Sequence, residues 1–285
     1  MRDWSPPPVE VLPFFPEMRE RGVAMLRKLT GAEWDAATAV PGWTIHDIAV
    51  HLAGGLISNV SRRRDGHAGN FAEFTPEGAR LAEPDGLVRT LNAWNEAWVV
   101  AGRRISPRMV VDLIDRYCQE LEAYFRTIDL FEIGDAVGWA GPEPAPVWLD
   151  VAREYTEVWS HLAQIREAAG RPLVDAPHLF GPVLEAFAWG IPQALREIER
   201  PEGMLLKVVA TGPAGGAWWV RRERDRWRFA PGDAGKPDAT VTVGDEMMWR
   251  LATKAVDPDE ARGVVRIEGD RKLGEGFLGL VSILA

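Results

Sequence analysis

The feature that most constrains the fold is a change of sequence pattern near Arg200-Pro-Glu-Gly203. Before this point, apolar residues recur at helical intervals in long segments, which are separated by stretches rich in Gly, Pro and Asp. After it, the segments become short and rich in β-branched and aromatic residues, with turn signals between them. The pattern predicts an N-terminal helical bundle over residues 1–200, followed by a small α+β domain over residues 201–285.

Helical periodicity extends over residues 11–29, 44–63, 86–105, 108–128, 146–169 and 178–199. The second of these helices has the clearest start, because Thr44 is a suitable N-cap and Asp47, three residues later, completes a capping box. The early helices have lengths suited to an antiparallel bundle whose interior can hold a site. In the second part, strands are predicted at 204–211, 217–222, 226–230, 239–243 and 263–268, and helices at 245–253 and 272–284.

Charge and composition exclude several classes of function. The formal net charge of −9 repels phosphate backbones and anionic lipid surfaces, so nucleic acid is not an expected partner. The first residues lack the apolar stretch of a signal peptide, and no run approaches the ~18 apolar residues of a membrane span. We expect a cytoplasmic protein, a monomer or a homodimer. Cys118 is the only cysteine; it continues an apolar helical pattern and is predicted to be a core residue rather than a nucleophile.

Two helical segments contain residues suited to binding a metal. His51 closes the segment Trp43-Thr-Ile-His-Asp-Ile-Ala-Val-His51, and Glu157-Val-Trp-Ser-His161 follows about a hundred residues later. At ~100° per residue, Glu157 and His161 lie about 40° apart around their helix and can face one point. Two imidazoles and one carboxylate form the ligand set of an open catalytic metal site. From spacing alone, a buried hydrogen-bonded histidine and a solvated Glu–His pair remain alternatives.

Two glycines follow His51 within one turn. Each glycine inside a helix costs ~1 kcal/mol relative to alanine, so Gly54 and Gly55 need an explanation. Either the backbone must clear a site or a crossing helix, or the helix breaks at Gly54. His46 lies some 140° from His51 around the helix and is not an expected co-ligand. Neither His67 nor His178 has a partner pattern.

The segment from Trp43 to His51 and Leu52 resembles the Trp-(Thr/Ser)-x-x-(Asp/Glu)-x-x-x-His-Leu segment of the mycothiol-dependent maleylpyruvate isomerase family. Glu157 and His161 stand where that family has its other two ligands, and the C-terminal part is similar to its sterol-carrier-like domain. The resemblance covers nearly the whole chain. It implies a DinB-like four-helix bundle as the N-terminal domain, with a divalent metal, most often zinc, held by His51, Glu157 and His161.

The resemblance also implies an enzyme that uses mycothiol, a small thiol, as cosubstrate and attacks a small electrophilic molecule, as an isomerase or an S-transferase. The chain departs from the simplest members through extra residues around 71–85 and 218–236. A family arginine from the second domain has no certain equivalent here, and Arg250, Lys254 and Arg262 are all candidates.

Other interpretations stay open. A metal-dependent hydrolase on the same bundle would use water as nucleophile, assisted by Glu157 or Glu154. A binding protein without catalytic activity would carry a hydrophobic ligand in its second domain. Trp43 and Trp159 could line an apolar pocket, although tryptophan in a helical domain is more often core. The arginine runs at 62–64 and 221–226 could bind an anionic thiol or acid, although a solvated helix end and a solvated hairpin explain them too.

Overall fold

The computed structural model describes residues 8–232 and 234–282. It contains two compact units. The helical unit comprises Leu12–Ile128 and Glu157–Asp175. The mixed unit comprises residues 8–11, Asp129–Thr156 and the described residues from Ala176 onward. Helices in the N-terminal part and an α+β arrangement in the C-terminal part confirm the predicted fold class, whereas the domain boundary near residue 200 stays a prediction.

Helices come first along the chain: α1 Phe15–Leu26, α2 Gly31–Trp34, α3 Ile45–Arg63, α4 Pro84–Gly102, α5 Pro107–Phe125 and, after a short hairpin, α6 Val147–Ala168. The predicted start of α3 is confirmed. Thr44 accepts from the Asp47 amide, and the Asp47 carboxylate accepts from the Thr44 amide. Asp47 is 3% exposed and also accepts from Arg103 at 2.9 Å, which ties the start of α3 to the residue after α4. In the described part of the chain, every helix is too short or too polar to cross a membrane.

The core of the helical unit follows the periodicity of its helices. On α5 the buried residues form one apolar stripe. Five of them recur every three or four positions, namely Val110, Ile114, Cys118, Leu121 and Phe125, and Val111 widens the stripe. This stripe faces α1 and α3, and α4 lies beside α3. The second half of α6 joins the same core, since a Cβ added at Gly22 of α1 would meet the Leu162 side chain at 2.5 Å.

The two glycines of α3 have different environments. The helix is continuous through both, so it does not break at Gly54. A Cβ on Gly54 would lie 2.2 Å from Nε1 of Trp98, whose indole donates to the Val50 carbonyl at 2.8 Å. Gly54 therefore allows a close crossing of α3 by a side chain of α4. Gly55 has open space around its Cα and carries no such constraint.

The mixed unit is built on a five-stranded sheet. Its strands are β3 Leu205–Thr211, β4 Gly216–Glu223, β5 Arg226–Ala230, β6 Ala239–Gly244 and β7 Arg266–Gly269. Across the sheet, the strand order is β5-β4-β3-β6-β7. The β3–β6 pair is parallel and the other neighbours are antiparallel. The helices of this unit are α7 Pro177–Ala188, α8 Ile191–Ala194, α9 Asp245–Ala252, α10 Pro258–Arg262 and α11 Arg271–Gly276.

The mixed unit differs from the sequence predictions in several places. The helix expected over 178–199 is interrupted, because Pro192 has no amide hydrogen to continue α7 and a new short helix begins at Ile191. Strands β1 Ile133–Ala136 and β2 Pro144–Pro146 form an antiparallel hairpin that the sequence did not predict. The closing helix ends at Gly276 and is followed by a 3-10 turn, Phe277–Gly279. The last two residues of that predicted helix lie outside the described residues.

Candidate metal centre

His51 lies in the middle of α3, in a partly buried position. Burial is the main cause that lowers its pKa to about 3, and the nearby His161 lowers it further, while Glu157 acts in the opposite direction. The imidazole is therefore neutral near pH 7, which is the form that binds metals. The Trp43 ring lies against it, with ring centres 5.3 Å apart.

Glu157 and His161 lie one turn apart on α6, as their spacing predicts. The carboxylate Oε2 is 3.5 Å from His161 Nε2. The side chains are 34% and 15% exposed, respectively, so the histidine is the more enclosed of the two. On its other side, His161 Nδ1 lies 2.9 Å from Oε1 of Gln164.

The structure brings the three residues together from two helices. The rings of His51 and His161 have centres 4.7 Å apart and planes at 86°. The donor atoms of these three residues do not yet have the geometry of a metal site. Within residues 8–232 and 234–282, no group of three His, Cys, Asp or Glu side chains has that geometry. The metal site therefore stays a prediction, supported by the proximity of its three residues.

The donor set fits a metal with small adjustments. Two donors bound to a tetrahedral zinc ion at its usual bond lengths are about 3.3–3.5 Å apart, close to the 3.5 Å between Glu157 and His161. Two imidazoles on one such ion have ring centres about 5 Å apart, close to the 4.7 Å between His51 and His161. A cluster of two imidazoles and a carboxylate is well suited to a divalent cation.

Two residues beside these ligands were not found by sequence reasoning. Gln164 stands three positions after His161, a spacing that places both on one helix face and could have identified it. Glu96 on α4 accepts from the Trp43 indole at 2.9 Å and so holds the ring that covers His51. A contact between residues so far apart in sequence has no local signal.

His46, His67 and Cys118, which belong to the same unit, lie apart from this cluster. His46 Nε2 is 2.9 Å from the Ile105 carbonyl, and its ring packs against Trp34, which agrees with its exclusion as a ligand. His67 is exposed in a loop. Cys118 is 1% exposed, and burial raises the pKa of its thiol to about 12. The prediction of a core cysteine is confirmed.

The structure also places the tryptophans and the basic residues that the sequence offered as candidates. Trp159 is 4% exposed and belongs to the core, whereas Trp43 is partly exposed and its ring packs against His51. The arginines at 221–226 flank the β4–β5 hairpin, where Arg226 pairs with Glu143 at 3.1 Å. The three candidates for the family arginine belong to the mixed unit, and their role stays a prediction: Arg250, Lys254 and Arg262.

Comparison with known proteins agrees with this architecture. Residues 15–166 match the N-terminal domain of mycothiol maleylpyruvate isomerase, and residues 185–282 match the SCP-2 sterol transfer family. A crystal structure of a histidine-to-alanine mutant of the mycothiol-dependent maleylpyruvate isomerase is similar at 16% identity and a TM-score of 0.51, over 94% of this chain and 96% of that one. A second structure of the mycothiol-dependent maleylpyruvate isomerase gives 17% identity and 0.49, over 88% and 91%. No curated protein matches the sequence.

At such low identity, the structural similarity concerns the fold. The first family match is more informative, because it covers more than half of the 285 residues, including His51, Glu157 and His161. The resemblance inferred from the sequence is thereby confirmed, and the chain belongs to the mycothiol maleylpyruvate isomerase family.

Proposed function

We propose that this protein is a cytoplasmic enzyme that holds a divalent metal, zinc in the first instance, at His51, Glu157 and His161. The observation that carries the proposal is the convergence of the three side chains from α3 and α6 within one family-matched domain. A bound metal would supply an electrostatic environment in which a thiol loses its proton near neutral pH. We further propose that the thiol is mycothiol, as the family's name suggests.

The chain's own residues fit such a role. The described part of the protein offers no cysteine nucleophile in an accessible position, because its one cysteine, Cys118, is buried with a raised thiol pKa. A thiol nucleophile would then come from a cosubstrate. The Trp43 ring, held by Glu96, provides an apolar wall beside His51 that excludes water from one side of the cluster.

The reaction proposed is addition of the thiol sulfur to an electrophilic carbon of a small unsaturated molecule. The thiol proton goes to solvent, the sulfur forms a C–S bond with one carbon of the double bond, and the π electron pair moves to the other carbon. In an isomerase, rotation about the new single bond precedes loss of the thiol and recovery of the double bond. In an S-transferase, the adduct takes up a proton and the thiol stays attached.

A different function has one specific observation in its favour. The match of residues 185–282 to the SCP-2 sterol transfer family is compatible with a protein that binds an apolar ligand. A hydrolase on the same bundle would need a second acid or base, and Glu154, one candidate, is buried and paired with Arg153. Metal content separates the binding protein from the enzymes, and thiol dependence separates the two enzymes.

The test is turnover of a panel of maleyl-type acids and other electrophiles, with and without mycothiol. The zinc-loaded wild type is compared with His51→Ala, and His67→Ala serves as control because His67 is exposed away from the cluster. We expect turnover by the wild type and His67→Ala only when thiol is present, and none by His51→Ala. Turnover without thiol would favour the hydrolase, and a metal-free, inactive wild type would favour the binding protein.

A further inference from the structure

Each ring nitrogen of His161 faces a different side chain of α6. Nε2 lies 3.5 Å from Oε2 of Glu157, and Nδ1 lies 2.9 Å from Oε1 of Gln164. Glu157 precedes the histidine by one turn and Gln164 follows it by almost one turn, so the three share a helix face. Because the His161 side chain is only 15% exposed, water has little opportunity to replace either partner.

The contact with Gln164 determines where the single proton of a neutral ring resides. An amide oxygen accepts hydrogen bonds and cannot donate, so Oε1 binds Nδ1 only when Nδ1 carries the hydrogen. Nε2 then has a free lone pair on the side of Glu157 and His51. In the other tautomer, the Nε2 hydrogen would point at the Glu157 carboxylate, and the ring's lone pair would lie on Nδ1, on the side away from Glu157.

We propose that Gln164 is a positioning residue that holds His161 in the Nδ1–H tautomer and thereby readies Nε2 for the metal. The inference rests on the proposed metal site. A metal-binding histidine that donates its other N–H to an oxygen is fixed in orientation and becomes a more basic ligand. Gln164 acts only through His161, because its oxygen is engaged by Nδ1 on the side away from Glu157.

Three variants separate this role from general effects on the helix. Gln164→Leu keeps the approximate size and helix propensity but removes the acceptor. Gln164→Glu retains an acceptor oxygen at the same place and should rescue the function. Gln119→Leu is the matched control, since Gln119 is an exposed residue of α5 in the same unit whose amide donates to Asp115.

The first measurement is zinc affinity, obtained by competition with a chromophoric chelator. We expect Gln164→Leu to bind zinc about 10–100-fold more weakly than the wild type, the usual effect of removing such a partner. Gln164→Glu and Gln119→Leu should bind close to wild type. Far-UV circular dichroism checks that each variant is folded.

The second measurement is the tautomer of His161 in the metal-free protein, read from two-bond ¹H–¹⁵N correlations and assigned with His161→Gln. The wild type should show hydrogen on Nδ1, and Gln164→Leu should shift toward hydrogen on Nε2. A folded Gln164→Leu with wild-type zinc affinity would overturn the proposal, as would an Nε2–H tautomer in the wild type. If the wild type binds no zinc, the proposed metal site is wrong. In that case, an unchanged His161 tautomer in Gln164→Leu would show in addition that Gln164 does not determine the tautomer.

Discussion

Substituting the two adjacent glycines of α3 by alanine should change stability in opposite directions. At Gly54 the new Cβ would lie 2.2 Å from Nε1 and 2.4 Å from Cδ1 of Trp98, so the indole must move. Its hydrogen bond to the Val50 carbonyl, 2.8 Å long, would be lost or weakened. At Gly55 the Cβ would meet nothing within 4 Å.

The magnitudes follow from opposing terms. Replacing a glycine inside a helix by alanine stabilises by about 1 kcal/mol at either position. At Gly54 this gain is set against overpacking of about 1–3 kcal/mol and a lost hydrogen bond of about 0.5–1.5 kcal/mol. Trp98 is 37% exposed and can relax in part, which favours the lower end of the overpacking cost. We expect Gly54→Ala to destabilise by about 0.5–1.5 kcal/mol and Gly55→Ala to stabilise by up to about 1 kcal/mol.

Urea denaturation followed by far-UV circular dichroism measures both effects. A Trp98→Ala background provides the decisive control, because removal of the indole leaves only the gain in helix propensity. In that background, Gly54→Ala should be stabilising. Equal stability of Gly54→Ala and Gly55→Ala in the wild-type background would refute the argument that the Trp98 crossing requires glycine.

Two further predictions concern single side chains of known environment. Burial raises the pKa of the Cys118 thiol to about 12, so at pH 8 only about one thiol in ten thousand is ionised. Iodoacetamide should therefore not alkylate Cys118 in the native protein. The Cys118→Ala variant should keep its thiol-dependent turnover. Asp270 accepts from Arg200 at 2.7 and 2.8 Å and caps α11, and these bonds lower its pKa to about 2. A carboxyl group whose pKa is lower in the folded protein than in the unfolded chain stabilises the fold at pH values above its unfolded pKa. This stabilisation is lost as the pH falls through its folded pKa. Asp270→Asn should therefore lower the free energy of unfolding by about 1–2 kcal/mol at pH 7. Urea titrations should show this difference shrinking between about pH 4 and pH 2, and a constant difference would contradict the assignment.

Much of the helical part could be predicted because its signals are local. The capping residues Thr44 and Asp47 lie three positions apart, and the buried stripe of α5 repeats every three or four residues. Helical spacing also sufficed to place Glu157 and His161 on one face. The sequence could not show that His51 meets them, since that depends on how α3 packs against α6; the family resemblance supplied this expectation, and the ring contact agrees with it.

The features that the sequence did not predict also have physical explanations. Strands β1 and β2 have four and three residues, which is too short for an alternating pattern to be recognised. The interruption between α7 and α8 did have a signal, Pro192, that outweighs the apolar periodicity around it. The pairing of Trp43 with Glu96 joins the segment before α3 to α4, far apart in sequence. An exposed glutamate in a helix is ordinarily explained by solvation alone.

We expect His51, Glu157 and His161 to bind one divalent metal ion. Anomalous diffraction at the zinc edge, from crystals grown with Zn²⁺, locates the bound ion. We expect one strong peak within about 2.0–2.2 Å of a nitrogen of each histidine and an oxygen of Glu157. Full zinc occupancy elsewhere, with no peak between these three side chains, would contradict it.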